Sequence, residues 1–191
     1  MSVPSTVIVL CTGRCGSMTL AAACAHLTTH TSAHESRTHA VGPARFAFPD
    51  NHIEIDNRLA WFTGRLDAAW GDRAAYVHLT RDPEAVAQSF VQRASQGILK
   101  AYRNEILARS RIKARRTPLI DFCRDYVETV NANITHFLRD KSHVMDMTLE
   151  TMPDDFEQFV GWIAADGDLS AARAELAISH NATAPKAESK P

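Results

Sequence analysis

The sequence predicts a single α/β domain with three layers, α/β/α, in which helices cover both faces of a central parallel sheet. Residues 7–11 form an apolar, mostly β-branched run that is typical of a strand buried on both faces, and a turn with two glycines separates it from a helix. Residues 74–80 predict another strand, which Asp82 and Pro83 follow as the N-cap and first residue of a helix. Strands that alternate with helices in this way form parallel sheets.

The other segments continue this alternation along the chain. The first helix is predicted at residues 18–27, where Ala and Leu recur at helical spacing. Further strands are predicted at residues 31–35, 53–55 and 143–147. Further helices are predicted at residues 58–70, 83–95, 98–106, 121–138, 153–165 and 169–178, with Gly167 as a C-cap between the last two. The 98–106 prediction depends on Ile98, Tyr102 and Ile106, which recur every four residues.

Length and composition suit one domain. The chain has 191 residues, of which 45% are hydrophobic, and this is enough for one core. We expect residues 1–181 to form the domain and residues 182–191, rich in Ala, Lys and Pro, to be a disordered tail. A formal net charge of −1 gives no indication of a nucleic-acid or membrane partner, and we expect neither. Because the apolar run at 7–11 is too short for a signal or a membrane span, we expect a cytoplasmic protein.

Cysteine and histidine spacing does not predict a metal site. The four cysteines lack paired C-x-x-C spacing, which favours reduced thiols over disulfides or zinc. His26, His30 and His34 recur every four residues, as metal ligands on one helix face would. The β-favouring run at 28–31 interrupts such a helix, so we expect no bound metal.

Positive charge is concentrated in residues 100–116, which hold seven basic side chains against the single acid Glu105. Such a segment is most often a solvated helix face. Attraction of an anionic ligand is the other interpretation that the charge allows.

An anion-binding turn is predicted where the first strand meets the first helix, because backbone N–H groups and the positive helix end converge there. Gly13 and Gly16 allow the backbone to close around a phosphate. Arg14 adds a permanent positive charge, and Ser17 and Thr19 offer hydroxyl donors in the first helical turn. The alternative is an ordinary glycine-containing turn with a solvated arginine.

This turn is not a Walker A loop, since no lysine precedes Ser17. It resembles instead the loop of PAPS-dependent sulfotransferases of the bacterial type, whose P-loop-like, nucleotide-binding fold holds 3'-phosphoadenosine 5'-phosphosulfate (PAPS) by its 5' end. The resemblance implies that Arg14 is the main catalytic charge. The residues that it implies as PAPS contacts are Gly13, Arg14, Cys15, Gly16, Ser17, Met18 and Thr19. Met18 departs from the family pattern, in which many members have a second hydroxyl residue there.

A second phosphate-binding group follows the strand at 74–80. Ser89 lies seven residues after Asp82, which is close to two helical turns, so Ser89 shares a helix face with the N-cap and lies near Arg81. The stretch resembles the 3'-phosphate motif of sulfotransferases, R-[DN]-P followed by a serine in the next helix. The resemblance therefore implies that Arg81 and Ser89 bind the 3'-phosphate. The alternative is an ordinary capped helix with an exposed serine.

Both motifs lie at carboxyl ends of strands, where open α/β sheets bind their ligands. A softer similarity to bacterial sulfotransferases covers residues 146–165, and the resemblance as a whole covers about half of the chain. It implies transfer of a sulfuryl group from PAPS to a hydroxyl or amine of a small-molecule acceptor, with 3'-phosphoadenosine 5'-phosphate (PAP) as the product.

Such a transfer needs a general base, which is a His or a Glu in relatives. Glu35 and His34 are the candidates, because they end the second predicted strand beside the first loop. Asp56, near the end of the third predicted strand, is a reserve. For each of them a polar residue at a strand end is the alternative interpretation.

Two other functions remain open from the sequence. A P-loop kinase of a nucleotide or metabolite would bind ATP with Mg²⁺, and the missing loop lysine argues against it. A non-catalytic nucleotide-binding relative would keep the pocket without a base. The sequence does not predict the acceptor, the adenine contacts or the oligomeric state.

Overall fold

A parallel β-sheet forms the centre of the fold in the computed structural model, which describes residues 3–95, 97–107 and 117–178. In this part of the chain the sheet has five strands, all parallel, in the order β2-β3-β1-β4-β5. The strands are β1 (Thr6–Cys11), β2 (Thr31–His34), β3 (His52–Ile55), β4 (Ala75–Thr80) and β5 (Val144–Thr148). All five predicted strands are therefore confirmed to within one residue at each end.

Helices connect the strands and close the chain. The α-helices are α1 (Ser17–Cys24), α2 (Thr63–Ala69), α3 (Pro83–Val91), α4 (Gly97–Ala101), α5 (Leu119–Leu138), α6 (Met152–Trp162) and α7 (Leu169–Leu176). Asp82 caps α3 as predicted, since its Oδ2 accepts a hydrogen bond of 2.9 Å from the Ala85 N–H. Short 3₁₀ turns lie at Gly42–Phe46, Asn57–Trp61, Gly71–Arg73 and Leu149–Thr151.

Strand β1 divides the core into two hydrophobic clusters because its side chains alternate between the two faces of the sheet. Val7, Val9 and Cys11 pack against α1, α6 and α7, whereas Ile8 and Leu10 pack against α2, α3 and α5. All six residues of β1 are buried. The predicted three-layer α/β/α fold with a central parallel sheet is thus confirmed.

Two predicted helices differ from the structure in helix type, besides differences of up to four residues at the ends of others. The 58–70 segment is a 3₁₀ turn at Asn57–Trp61 followed by α2, because Phe62 leaves the helical region with φ −125° and ψ 25°. The segment after α4 continues as a π-helical turn, Tyr102–Leu107. Hydrogen bonds that span five residues change the rotation per residue, so Ile106 is 62% exposed although Tyr102 is buried.

Parts of two predictions cannot be followed into the structure. Residues 108–116 of the basic segment and the tail at 182–191 lie outside the described residues.

The four cysteines are free thiols, and all four are buried. In the described ranges, none of the helices combines the length and apolar character that crossing a bilayer requires.

Gly167 is not the C-cap that we predicted, because α6 ends at Trp162 and Ala164 takes the left-handed conformation there, with φ 50°. Gly167 instead forms an antiparallel β-bridge with Leu27. A Cβ at this position would lie 2.4 Å from the carbonyl oxygen of His26 and 2.6 Å from the Leu27 Cα. The glycine is needed for a close approach of two backbone segments.

Replacing Gly167 with alanine is therefore expected to lower the free energy of unfolding by about 1–3 kcal/mol, the usual cost of overpacking. Gly161 provides the control, since it lies within α6 and a Cβ added to it would have no atom within 4 Å. Gly161→Ala should raise stability by about 0.5–1 kcal/mol through its helix propensity. Urea unfolding of both variants measures the difference, and equal stabilities would contradict the close-approach role.

Candidate functional site

A cavity of about 710 Å³ opens at the carboxyl ends of the strands. Its walls come from the β1–α1 loop, the end of β2, the turn after β3, helix α3, and the residues that follow β5 and α7. Side chains from separate parts of the sequence meet there because all strands run parallel and end at the same edge of the sheet. The volume is in the usual range for a small-molecule or cofactor site.

The β1–α1 loop is held in a conformation that its glycines permit. Gly13 and Gly16 have φ angles of 80° and 85°, in the left-handed region that suits glycine. A Cβ on Gly16 would lie 2.6 Å from Leu149 Cδ1, so a larger residue there would require the Leu149 side chain to shift. Arg14 is also left-handed, with φ 61°, which is an uncommon conformation for a residue with a side chain.

Arg14 joins the two predicted phosphate-binding motifs. Its Nε donates a hydrogen bond of 3.0 Å to Ser89 Oγ, and its backbone carbonyl accepts one of 3.3 Å from Arg81 Nη1. Ser89 and Arg81 both line the cavity, as does Ser17. The structure therefore brings the two motifs into one crevice, although 75 residues separate Arg14 from Ser89.

The site concentrates positive charge. Partial burial lowers the pKa of Arg14, and the nearby positive charges of Arg93 and Arg81 lower it further. Like charges held this close are unfavourable until an anion neutralises them. The loop amides at the N-terminus of α1 add to the positive potential at the same point. The arrangement suits a ligand that carries an anionic group at each of two ends.

Both predicted base candidates line the cavity. His34 Nε2 lies 3.1 Å from Ser17 Oγ, and the Glu35 carboxylate forms an ion pair with Arg58. We expected β2 to lie directly beside the strand that leads into the loop. Strand β3 lies between β1 and β2 instead, so His34 and Glu35 are one strand further away. Glu35 has φ 53°, a strained conformation of the kind that often marks functional positions.

Other predicted site residues have different surroundings. Cys15 is fully buried, and it is not among the residues that line the cavity. Met18 is 40% exposed and lines the cavity. Thr19 also lines it, but its hydroxyl donates to the Ile178 carbonyl oxygen at 3.4 Å. Asp56 is wrong as a reserve base, because it is 0% exposed and forms a buried ion pair with Arg45.

The sequence interpretation missed several residues that line the cavity. Asn57 lies two residues after the end of β3, and this place at the carboxyl edge of the sheet is the one signal in the sequence that points to it. Phe90 and Gln92 belong to the end of α3, and Leu149, Leu176, Ala177 and Ile178 provide an apolar wall. Only the packing of β5 and α7 beside the loop reveals this wall, because no local sequence signal marks it.

A second hollow, of about 880 Å³, lies between α3 and α5. Among the described residues that line it there is no predicted ligand contact, and the ion pair of Glu84 with Arg124 occupies one side. The described ranges also contain no group of three or more His, Cys, Asp or Glu side chains that could hold a metal ion. The predicted motifs thus converge on the first cavity.

Comparison with known proteins shows a relationship of fold. No family model matches the chain. No curated protein sequence matches it either. A solved structure described as the sulfotransferase domain from the curacin biosynthetic pathway is similar, with a TM-score of 0.62 and 13% sequence identity. The similarity covers 86% of this chain and 75% of that chain. At this identity the comparison shows that the two proteins share a fold.

Proposed function

We propose that this protein is a sulfotransferase that moves a sulfuryl group from PAPS to a hydroxyl or amine of a small-molecule acceptor. The observation that carries the proposal is the hydrogen bond between Arg14 and Ser89, which joins the two motifs within one cavity. The similarity of fold to a sulfotransferase domain supports the same conclusion. PAPS, when bound, supplies the activated sulfuryl group.

The residues of the cavity fit a donor with two anionic ends. The amides of Cys15, Gly16 and Ser17, at the N-terminus of α1, would hold the 5' phosphate. Arg14 would neutralise the negative charge that develops on the departing oxygen, which is the main electrostatic contribution that such a transfer requires. Arg81 and Ser89 would bind the 3'-phosphate, Arg81 through charge and Ser89 through its hydroxyl.

Glu35 is the better of the two base candidates. For Ser17 to donate its hydroxyl hydrogen to the ligand, it must accept a hydrogen from its neighbour, His34 Nε2. That nitrogen then has no lone pair with which to take a proton. Arg58 engages Oε2 of Glu35 and orients the carboxylate, so that Oε1 would accept the acceptor's proton. We therefore assign His34 to the orientation of Ser17.

A thermal-shift comparison tests this function. PAP is expected to raise the Tm of the protein, whereas ATP with Mg²⁺ at the same concentration is expected to raise it little or not at all. The 3'-phosphate contacts of Arg81 and Ser89 are the physical reason for the difference. A larger shift with ATP and Mg²⁺ than with PAP would favour a kinase and would contradict the proposal.

Arg81→Ala is expected to weaken PAP binding by about 10- to 100-fold, which corresponds to the loss of one charge-assisted hydrogen bond. Binding of AMP, which lacks the 3'-phosphate, should change little. Isothermal titration with both nucleotides measures the effect. Arg124→Ala is a suitable control, because Arg124 pairs with Glu84 on the surface away from the cavity. Equal losses of affinity for AMP and PAP in the Arg81 variant would contradict the assigned role.

A further inference from the structure

Asn57 lines the cavity and lies next to Gly13 of the anion-binding loop. It follows β3, the strand that separates β1 from β2, so it stands between the loop and the base candidates of β2. A Cβ built on Gly13 would lie 2.8 Å from Asn57 Nδ2. Gly13 therefore leaves the space that the Asn57 amide occupies. The nitrogen of this amide is the part that contacts the loop.

The other half of the same amide has no partner. Asn57 Oδ1 is buried and makes no hydrogen bond to any described residue. Buried polar atoms are nearly always hydrogen-bonded, because an unsatisfied one destabilises the folded state. The oxygen of the Asn57 amide therefore contributes no hydrogen bond that would stabilise the fold. An apolar residue of the same size would avoid the unsatisfied oxygen. A function for the Nδ2 group explains why asparagine occupies this position.

We infer that Asn57 is a catalytic residue whose Nδ2 donates a hydrogen bond to the sulfuryl group during its transfer. The inference rests on the proposed function. In that reaction the acceptor oxygen or nitrogen forms a bond to sulfur while the bond from sulfur to the 5'-phosphate oxygen breaks. The acceptor's proton passes to Glu35, and the nucleotide leaves as PAP. Asn57 lies beside the loop that would hold the sulfuryl group, whose three oxygens share negative charge in the transition state, and a fixed donor there stabilises that charge.

This role separates Asn57 from the residues that hold the nucleotide. PAP has no sulfuryl group, so a donor that contacts only this group contributes to the binding of PAPS and not to the binding of PAP. Arg81 and Ser89 would contribute to both. The ratio of the two affinities is therefore a specific measure of the Asn57 contact, and it does not depend on knowing the acceptor.

The test compares wild type with Asn57→Leu, which keeps the volume and removes the donor, and with Asn57→Asp, which keeps the shape. Titration calorimetry should show PAPS affinity weakened about tenfold in both variants, with PAP affinity after Asn57→Leu within about twofold of wild type. Release of PAP from PAPS with water as acceptor should slow about 10²- to 10³-fold. The Tm of the empty Asn57→Leu protein should equal or exceed that of wild type, because the unsatisfied oxygen is gone.

Trp61→Phe is the matched control, since Trp61 Nε1 is also buried without a partner in the described chain but does not line the cavity. This variant should keep the wild-type ratio of PAPS to PAP affinity. The inference is overturned if Asn57→Leu weakens PAPS and PAP binding equally, or if it leaves both PAPS binding and PAP release unchanged. If wild type itself binds neither nucleotide, the proposed function fails and the inference fails with it.

Discussion

Replacement of Arg14 with alanine is expected to lower the rate of sulfuryl transfer about a thousandfold, which would leave almost no activity. Removal of a single preorganised donor from an oxyanion-type site costs up to about 10³ in kcat. Arg14 supplies in addition a full positive charge and the hydrogen bond that holds Ser89. Formation of PAP from PAPS, followed by chromatography, measures the rate with water or with any acceptor that proves active.

Two further variants define what Arg14 does. Arg14→Lys keeps the charge but loses the guanidinium fork, so we expect activity between that of wild type and Arg14→Ala. Arg65→Ala is a control, because Arg65 stacks over the Phe46 ring, away from the cavity. It should retain wild-type activity. An Arg14→Ala protein with more than about a tenth of the wild-type rate would contradict the electrostatic role, given the size of effect expected.

The largest expected loss of stability comes from Arg45→Met, at about 3–5 kcal/mol. Arg45 forms an ion pair with Asp56, and both side chains are buried. Removal of the arginine leaves the Asp56 carboxylate without its counter-charge in the protein interior, and this costs far more than the loss of a surface ion pair. Urea unfolding at neutral pH measures the change.

The loss should also depend on pH. Burial raises the pKa of Asp56, and the hydrogen bond and charge of Arg45 oppose this rise. A carboxyl whose folded pKa lies above its unfolded value favours the folded state below the unfolded pKa, and this contribution is lost as the pH rises through the folded pKa. Without Arg45 the folded pKa rises further. The deficit of Arg45→Met should therefore be greatest at neutral pH and should shrink as the pH falls.

A double variant separates the buried charge from simple loss of packing. Arg45→Met combined with Asp56→Leu removes both charges and keeps apolar volume, so it should recover most of the stability at neutral pH. A deficit of Arg45→Met that stays constant with pH, or a double variant that is no more stable than the single one, would contradict this interpretation.

Local patterns in the sequence predicted the secondary-structure elements well, and they predicted the surroundings of individual residues less well. The strand at β1 and the cap at Asp82 depend on residues close together in the chain, and both agree with the structure. The predictions for Gly167 and Ile106 were wrong because each depends on something the pattern does not contain. For Gly167 this is a backbone segment more than a hundred residues away, and for Ile106 it is a change of helix type.

The candidate site shows the same division. The two motifs around Arg14 and Arg81 could be identified from local signals, a strand followed by a turn and a helix start, together with their resemblance to sulfotransferase motifs. The place of Asn57 after β3 could be derived from the sequence, but its contact with the space beside Gly13 and its unpartnered oxygen could not. Asp56 was a reasonable base from its place after a strand, and only its burial against Arg45 excludes it.

Local sequence patterns established the alternation of strands and helices, the loop glycines, and the basic and hydroxyl residues that follow two of the strands. These properties arise from neighbours within a few residues, where backbone preferences and periodicity act. The tertiary structure alone decided that β3 lies between β1 and β2, that Arg14 reaches Ser89, and that Asn57 faces the loop. Such contacts depend on the order of strands in the sheet and on the packing of distant segments, which no local preference contains.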